Sequence, residues 1–215
     1  MAVLFALTGP IAAGKNAASD ILARHGFACI DADALVHVII EEKKEEILSA
    51  FLPLAREGGV ELLREGKIDR RALGSVLFKN PQALAAQEAI VHPEVSRKTG
   101  EFIAANGDKP VVINATVLYK TPDLLGRCCC VLFVDAPKIT RFFRIRRRNG
   151  LPARQILERI RSQNAIFSQY MKSHADIYRV WNSGSLSALE KKIGIFLAGC
   201  EEKGYLQWKK SGFYG

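Results

Sequence analysis

The sequence predicts an α/β fold, a parallel sheet flanked by helices. Two observations predict it: short apolar segments alternate with longer amphipathic ones, and a glycine-rich turn joins the first apolar segment to the first helical one. The chain has 215 residues, of which 48% are hydrophobic, enough to bury the core of one compact domain with elaborations.

The first elements follow from local patterns. Residues 2–7 form an apolar run suited to a buried strand, and residues 15–25 are predicted as a helix that ends at Gly26. A second strand is predicted over residues 27–30. A helix is expected over residues 34–46, and its charged end is expected to form a solvated face.

An inserted helical segment follows. From residue 47 to about residue 107 the pattern is almost wholly helical, broken at Gly58-Gly59 and at Asn80-Pro81. The expected organisation is one domain with a core of residues 1–40, 108–137 and 176–215, a helical subdomain of about 41–107, and a lid of about 138–175.

The rest of the chain alternates again. The predicted elements are strands at 111–115 and 129–134, a basic helix, a helix from residue 151 through Gln163 toward residue 171, a strand at 178–181 and a helix at 186–203. The two helices around Asn149-Gly150 form a hairpin, which is typical of a lid over a phosphate site.

Composition excludes several classes of protein. No apolar run approaches the roughly 20 residues that cross a bilayer. The apolar start lacks a basic region and ends at Gly9-Pro10, so no secretion signal is expected. Five cysteines, three of them at residues 128–130, make a poor disulfide framework. Since adjacent strand residues face opposite ways, these thiols are expected to fill a buried strand in a reducing, cytoplasmic compartment.

A phosphate-binding loop is predicted between the first strand and the first helix. The segment Gly9-Pro10-Ile11-Ala12-Ala13-Gly14-Lys15 matches the G-x-x-x-x-G-K pattern. Its glycines let the backbone wrap an anion, the helix N-terminus directs N–H groups at phosphate, and the lysine adds a full charge. This loop, continued by Asn16 and Ala17, is the candidate ATP site; a glycine turn without a ligand is the alternative.

Two residues are candidate Mg²⁺ ligands. Where the loop pattern ordinarily has Ser or Thr on magnesium, this chain has Asn16, whose amide oxygen is expected to bind Mg²⁺ directly or through water. The alternative is a slow or inactive enzyme. Asp31 and Asp33 end the second strand, where ligands of open α/β sheets bind. Alternation along a strand would direct both carboxylates to the same side, with one near an acceptor hydroxyl and the other near the water shell of the metal. The alternative is that Asp33 is the N-cap of the next helix.

The net charge of +9 implies affinity for anions. On the basic helix Arg141, Arg144 and Arg148 share one face, which is either a phosphate-binding face or a solvated one. Few aromatic residues accompany these arginines, so no nucleic-acid partner is expected.

The order of motifs resembles the dephospho-CoA kinase family over nearly the whole chain. The matching pieces are Leu7-Thr8-Gly9 with the loop, Ile30-Asp31-Ala32-Asp33, Asp69-Arg70-Arg71-Ala72-Leu73, Phe78-Lys79-Asn80-Pro81, Val91-His92-Pro93, Val134-Asp135-Ala136-Pro137, Arg144 and Arg148 before Asn149-Gly150-Leu151, Gln163, and Asn182-Ser183-Gly184-Ser185. The loop alone is shared by many NTPases, whereas the Asp-Ala-Asp, His-Pro and arginine blocks in this order are typical of the family.

The resemblance implies transfer of the γ-phosphate of ATP to the ribose 3′-hydroxyl of dephospho-CoA. It implies that Asp33 is the general base, that Lys15 and the loop amides hold the β and γ phosphates, and that Arg144 and Arg148 neutralise charge from the lid. ATP and Mg²⁺ would be the donor and the cofactor, and the enzyme is expected to act as a monomer or small homo-oligomer.

The resemblance also implies binding roles elsewhere. Asn182 would contact adenine, and Thr8, Arg71 and His92 would bind the acceptor, with the helical subdomain as substrate domain. A structural role for His92 is the alternative.

Several positions depart from the family pattern. Pro10 replaces the usual second glycine of the loop, and Thr116-Val117-Leu118-Tyr119-Lys120 stands where the family has Pro-Leu-Leu-Phe-Glu. Asn149 replaces an Asp, which is expected to remove a partner for the lid arginines. These changes concern metal geometry and acceptor preference. The alternative function is another nucleoside or nucleotide kinase, for which a Thr is expected where this chain has Ala17.

Overall fold

The computed structural model describes residues 2–173 and 175–206. Its strands are β1 (Leu4–Thr8), β2 (Ala28–Asp31), β3 (Leu63–Arg64), β4 (Lys67–Ile68), β5 (Val111–Asn114), β6 (Cys128–Asp135) and β7 (Asp176–Trp181). Its α-helices are α1 (Lys15–Arg24), α2 (Ala32–Glu42), α3 (Lys44–Glu57), α4 (Arg70–Leu77), α5 (Pro81–Ala105), α6 (Pro122–Gly126), α7 (Lys138–Asn149), α8 (Ala153–Arg161), α9 (Ile166–Tyr170) and α10 (Leu186–Glu202).

The predicted parallel sheet is confirmed. Five strands lie in the order β2-β5-β1-β6-β7, and every neighbouring pair is parallel. The carboxyl ends of these strands therefore share one edge, where the loop after β1 also lies. None of the helices in the described residues is long and apolar enough to cross a membrane.

The chain divides into two compact units. One contains the residues up to Asp31 and those from Phe102 onward, and the other is Ala32–Glu101. The sequence-based boundaries lie at residues 40/41 and 107/108. The structural boundaries fall earlier, at 31/32, where α2 begins directly after β2, and at 101/102, within α5.

One core cluster of the first unit lies on the sheet face covered by α1 and α10. Phe5 on β1 is buried and meets Phe27 and Phe196 edge to face, with ring centroids 5.3 and 6.3 Å apart. A buried side chain of this size stabilises the fold by about 1.5–3 kcal/mol. This packing fixes β1 and α1, the two elements that carry the loop.

The second unit differs in two places from the predictions, which were a helix over residues 34–46 and an almost wholly helical segment after it. Leu63–Arg64 pairs with Lys67–Ile68 as an antiparallel hairpin. Its turn residues, Glu65 and Gly66, both have left-handed backbones, with φ of 51° and 74°, which matches the twist of a two-residue hairpin. The helix predicted over residues 34–46 is present but interrupted at Lys43, since α2 ends at Glu42 and α3 starts at Lys44.

The lid segment belongs to the first unit, and its helices differ from those predicted. The single helix predicted from residue 151 toward 171 is two helices, α8 and α9. The break places Gln163 outside a helix, where its side chain bonds the loop after β1. Buried Ile145, Ile156 and Ile160 form a small core between α7 and α8, against which Ile11 packs.

The three consecutive cysteines do not alternate between faces as predicted. Leu4 pairs with Cys128 but Phe5 pairs with Cys130, so Cys129 is the extra residue of a β-bulge. Cys129 and Cys130 therefore both pack against the core beneath α1 and α10. All five cysteines are free thiols, and three of them are buried.

Candidate functional site

The loop of residues 9–14 joins β1 to the N-terminus of α1, as its motif predicts. Gly9 and Gly14 have φ of 149° and 108°, and each approaches a neighbour too closely for a side chain. A Cβ on Gly9 would lie 2.0 Å from the carbonyl oxygen of Val134, and a Cβ on Gly14 would lie 2.1 Å from Nδ2 of Asn182. Only glycine fits either position without displacement.

Lys15 is held at the start of α1. Its Nζ donates to the Gly9 carbonyl at 3.3 Å and to the Thr116 hydroxyl at 2.6 Å. The buried Thr8 hydroxyl donates to the Thr116 carbonyl at 3.1 Å, and the buried Tyr170 hydroxyl donates to the same carbonyl at 3.3 Å. Thr116, which departs from the family pattern, therefore supplies a hydroxyl that positions the ammonium group.

The lid segment is hydrogen-bonded to both sides of one residue of the phosphate-binding loop, Ile11. The Ile11 N–H donates to Oε1 of Gln163 at 2.6 Å, and Nε of Arg141 donates to the Ile11 carbonyl at 2.8 Å. Arg141 is only 4% exposed, and its Nη2 is buried with no partner in the described residues. Burial lowers the pKa of its guanidinium, while the carboxylate of Asp135 opposes that shift. The sequence places Arg141 on the same candidate phosphate-binding face as Arg144 and Arg148, but the family resemblance implies a role only for the latter two.

Arg144 binds carbonyl oxygens of the same loop. Its Nη1 donates to the Ala12 and Ala13 carbonyls, both at 3.2 Å, and its Nη2 donates to the Asn182 carbonyl at 3.1 Å. The side-chain Nδ2 of Asn182 donates to the Ala13 carbonyl at 2.8 Å. The loop after β7 and the basic helix are thus joined through the phosphate-binding loop.

Arg148 lies elsewhere. It is exposed, and its Nε donates to Oδ1 of Asn149 at 3.0 Å. The expectation that Asn149 removes a partner for the lid arginines is wrong, because the amide oxygen accepts this hydrogen bond.

Polar residues at the ends of β2 and β5 form the candidate metal site. Asp31 pairs in register with Asn114, whose Nδ2 lies 3.4 Å from Oδ1 of Asn16. Oδ1 of Asn114 is buried and has no partner among the described residues.

The described part of the chain contains no group of three or more His, Cys, Asp and Glu side chains that could hold a metal ion. The amide and carboxylate oxygens fit Mg²⁺, which keeps several waters and takes phosphate oxygens as ligands. Asn114 was missed in the sequence, where a polar residue ending an apolar strand was the only signal.

The remaining predicted residues lie in the second unit. The helix α2 begins at Ala32, so the strand alternation expected to continue through Asp33 stops at Asp31. Asp33 lies in the first turn of α2. Arg71 lies in the first turn of α4, and His92 lies within α5.

Sequence comparison identifies the family. The dephospho-CoA kinase profile matches residues 3–187. The chain belongs to the dephospho-CoA kinase family. A dephospho-CoA kinase of Treponema denticola is 36% identical over 195 residues, covering 89% of this chain and 87% of the relative. As a member of this family, the chain is a kinase.

Solved structures agree with this dephospho-CoA kinase assignment. The crystal structure of TT1252 from Thermus thermophilus has a TM-score of 0.76 and 31% identity, covering 92% of this chain and 97% of that one. A dephospho-CoA kinase from Campylobacter jejuni has a TM-score of 0.57 and 26% identity, covering 91% and 96%.

Proposed function

We propose that this chain transfers the γ-phosphoryl group of ATP to the ribose 3′-hydroxyl of dephospho-CoA, the last step of coenzyme A synthesis. The observation that carries the proposal is the glycine loop at the N-terminus of α1, with the Lys15 ammonium held 2.6 Å from Thr116. Family membership supports the acceptor. We further propose that the enzyme acts in the cytoplasm as a monomer or small homo-oligomer.

The phosphate-binding loop and the basic helix bind the phosphate donor, ATP. Main-chain N–H groups at the start of α1 and the Lys15 ammonium bind the β and γ phosphate oxygens, whose charge grows on the leaving side. Arg144 adds positive charge beside the loop, and Arg148 reaches the phosphates from the lid. Asn182 contacts the adenine. These fixed charges stabilise the transition state without reorganising during the reaction.

Oxygen ligands near the ends of β2 and β5 would bind the metal ion. Asn16 and Asp31 would hold Mg²⁺ directly or through water, and Asn114 offers a further amide oxygen. When bound, Mg²⁺ supplies positive charge to the β and γ phosphate oxygens.

Asp33 serves the acceptor. Its carboxylate takes the proton of the 3′-hydroxyl as that oxygen bonds to the γ-phosphorus and the bond from the γ-phosphorus to the bridging oxygen breaks, releasing ADP. Thr8, Arg71 and His92 bind the acceptor, so that the hydroxyl is presented in line with the leaving oxygen.

The test offers dephospho-CoA, adenosine and AMP separately to the purified protein with ATP, and repeats the assay with Asp33→Asn. We expect phosphorylation of dephospho-CoA only, and a fall in turnover of about 10² or more in the variant with nearly unchanged ATP affinity by calorimetry. Asp20→Asn, a change at an exposed position on α1, is the matched control and should behave as wild type. Phosphorylation of adenosine in place of dephospho-CoA would refute the acceptor, and wild-type turnover in Asp33→Asn would refute the base.

A further inference from the structure

The bulge at the start of β6 brings three thiols together. Cys130 is fully buried, and its thiol lies within hydrogen-bonding reach of the thiols of Cys129 and of Cys200 on α10. Cys129 differs from both neighbours in being only half-buried. The cluster thus has one thiol that solvent reaches and two that it does not.

A cavity adjoins the exposed thiol. Its volume is about 330 Å³, and it is lined by Pro122, Leu125, Gly126, Cys128, Cys129, Ser173 and Ala175. This cavity lies at the amino end of β6, whereas the phosphate-binding loop packs against Val134 at the other end. The kinase reaction therefore gives neither the cavity nor the thiol a role.

The surroundings favour reaction at Cys129 over its neighbours. The Cys130 thiol donates a hydrogen bond that lowers the pKa of Cys129, and thiolate is the nucleophilic form. Burial raises the pKa of Cys128 to about 12, and the hydrogen bonds of Cys130 together with its burial raise the pKa of that thiol as well. Of the three consecutive thiols, only Cys129 combines access with thiolate character.

We propose that Cys129 is a site of S-thiolation by low-molecular-weight disulfides, with the incoming group seated in the adjoining cavity. The Cys129 thiolate attacks one sulfur of a disulfide RSSR, forming Cys129–S–S–R and releasing RS⁻; the protein thiol is oxidised and one half of the reagent is reduced.

The mixed disulfide should persist. Closure onto Cys130 would join residues whose Cα atoms are about 3.8 Å apart, below the roughly 4.4–6.8 Å that disulfides span. Cys200 is fully buried and is hydrogen-bonded to Cys130. Neither neighbour is placed to displace the added thiol.

The experiment incubates the folded, full-length protein with glutathione disulfide and follows intact mass, then locates the adduct by peptide mapping. We expect one glutathionyl group, on Cys129, formed at least about tenfold faster than at any other cysteine. Cys129→Ser should abolish it, and Cys128→Ser, a change at a buried position lining the same cavity, should retain it. An adduct on another cysteine, or an unmodified folded protein when the urea-unfolded chain reacts, would overturn the proposal.

A second pair of variants tests the hydrogen bond. Cys130→Ser keeps a donor beside Cys129 and should hold the rate within about threefold of wild type, while Cys130→Ala removes it and should slow the reaction by about tenfold. Equal rates in these two variants would show that the Cys130 hydrogen bond does not control the reactivity of Cys129.

Discussion

Replacing Gly14 by alanine tests how the loop is held. The new Cβ would lie 2.1 Å from Nδ2 of Asn182, the atom that bonds the Ala13 carbonyl, so the amide side chain must swing away. The backbone at Gly14 also keeps φ at 108°, which strains any residue with a side chain. Two separable costs therefore arise from one methyl group.

The size of each cost follows from the structure. Left-handed backbone strain amounts to about 1–3 kcal/mol. Loss of the Asn182 hydrogen bond adds about 1 kcal/mol, because the Ala13 carbonyl still accepts from Arg144 and is not left unsatisfied. Gly14→Ala should thus destabilise the protein by about 2–4 kcal/mol. Since Asn182→Ala alone removes the same hydrogen bond, the double variant should be no less stable than Gly14→Ala.

Urea unfolding of the four proteins of this cycle, followed by tryptophan fluorescence, measures the coupling, expected at about 1 kcal/mol. Gly9→Ala is the matched control, because its Cβ would meet the backbone oxygen of Val134, which no side-chain movement relieves. Costs of Gly9→Ala and Asn182→Ala should therefore add. Additive costs for the Gly14 and Asn182 pair would refute the reasoning.

Three further predictions concern single contacts. Thr116→Val removes the hydroxyl acceptor that lies 2.6 Å from the Lys15 ammonium and should weaken ATP binding about three- to tenfold by calorimetry; unchanged affinity would show that this contact does not contribute to ATP binding. Gln163→Leu should weaken ATP binding through the loosened Ile11 peptide, and Gln163→Glu, which keeps an acceptor, should lose less; equal losses would contradict the inference. Hydrogen bonds from a lysine and a tyrosine lower the pKa of Asp176, so its stabilisation exists above the unfolded pKa of about 4 and fades as pH falls. The Tm deficit of Asp176→Asn should accordingly shrink below about pH 4, and a deficit independent of pH would refute this.

Local chemistry made the sheet and the loop predictable. The strand before Gly9 and the helix after Gly14 follow from periodicity and a spaced glycine pair, and both stand where the sequence places them. The bulge at Cys129 depends on how β6 pairs with β1. Pairing is a tertiary property that no local pattern contains.

The contacts to the loop were less predictable, because they span long stretches of sequence. Gln163 bonds a residue 152 positions earlier, and Arg144 bonds carbonyls more than 130 positions earlier. A one-dimensional reading places such residues on a helix face but cannot select what the face meets. For Asp33 the error was local: the helix began two residues sooner than expected, which ended the strand alternation.

The arginine face of the basic helix is therefore not wholly solvated, and it does more than supply positive charge. Three successive carbonyl oxygens of the loop, at residues 11 to 13, accept hydrogen bonds from Arg141, Arg144 or Asn182. Only Arg148 of the three arginines on that face is exposed and engaged with its neighbour. Because carbonyl oxygens repel phosphate, tying them to cationic and amide donors helps the loop to present N–H groups to an anion. A loss of activity on removing Arg144 would thus combine lost charge with a reshaped loop.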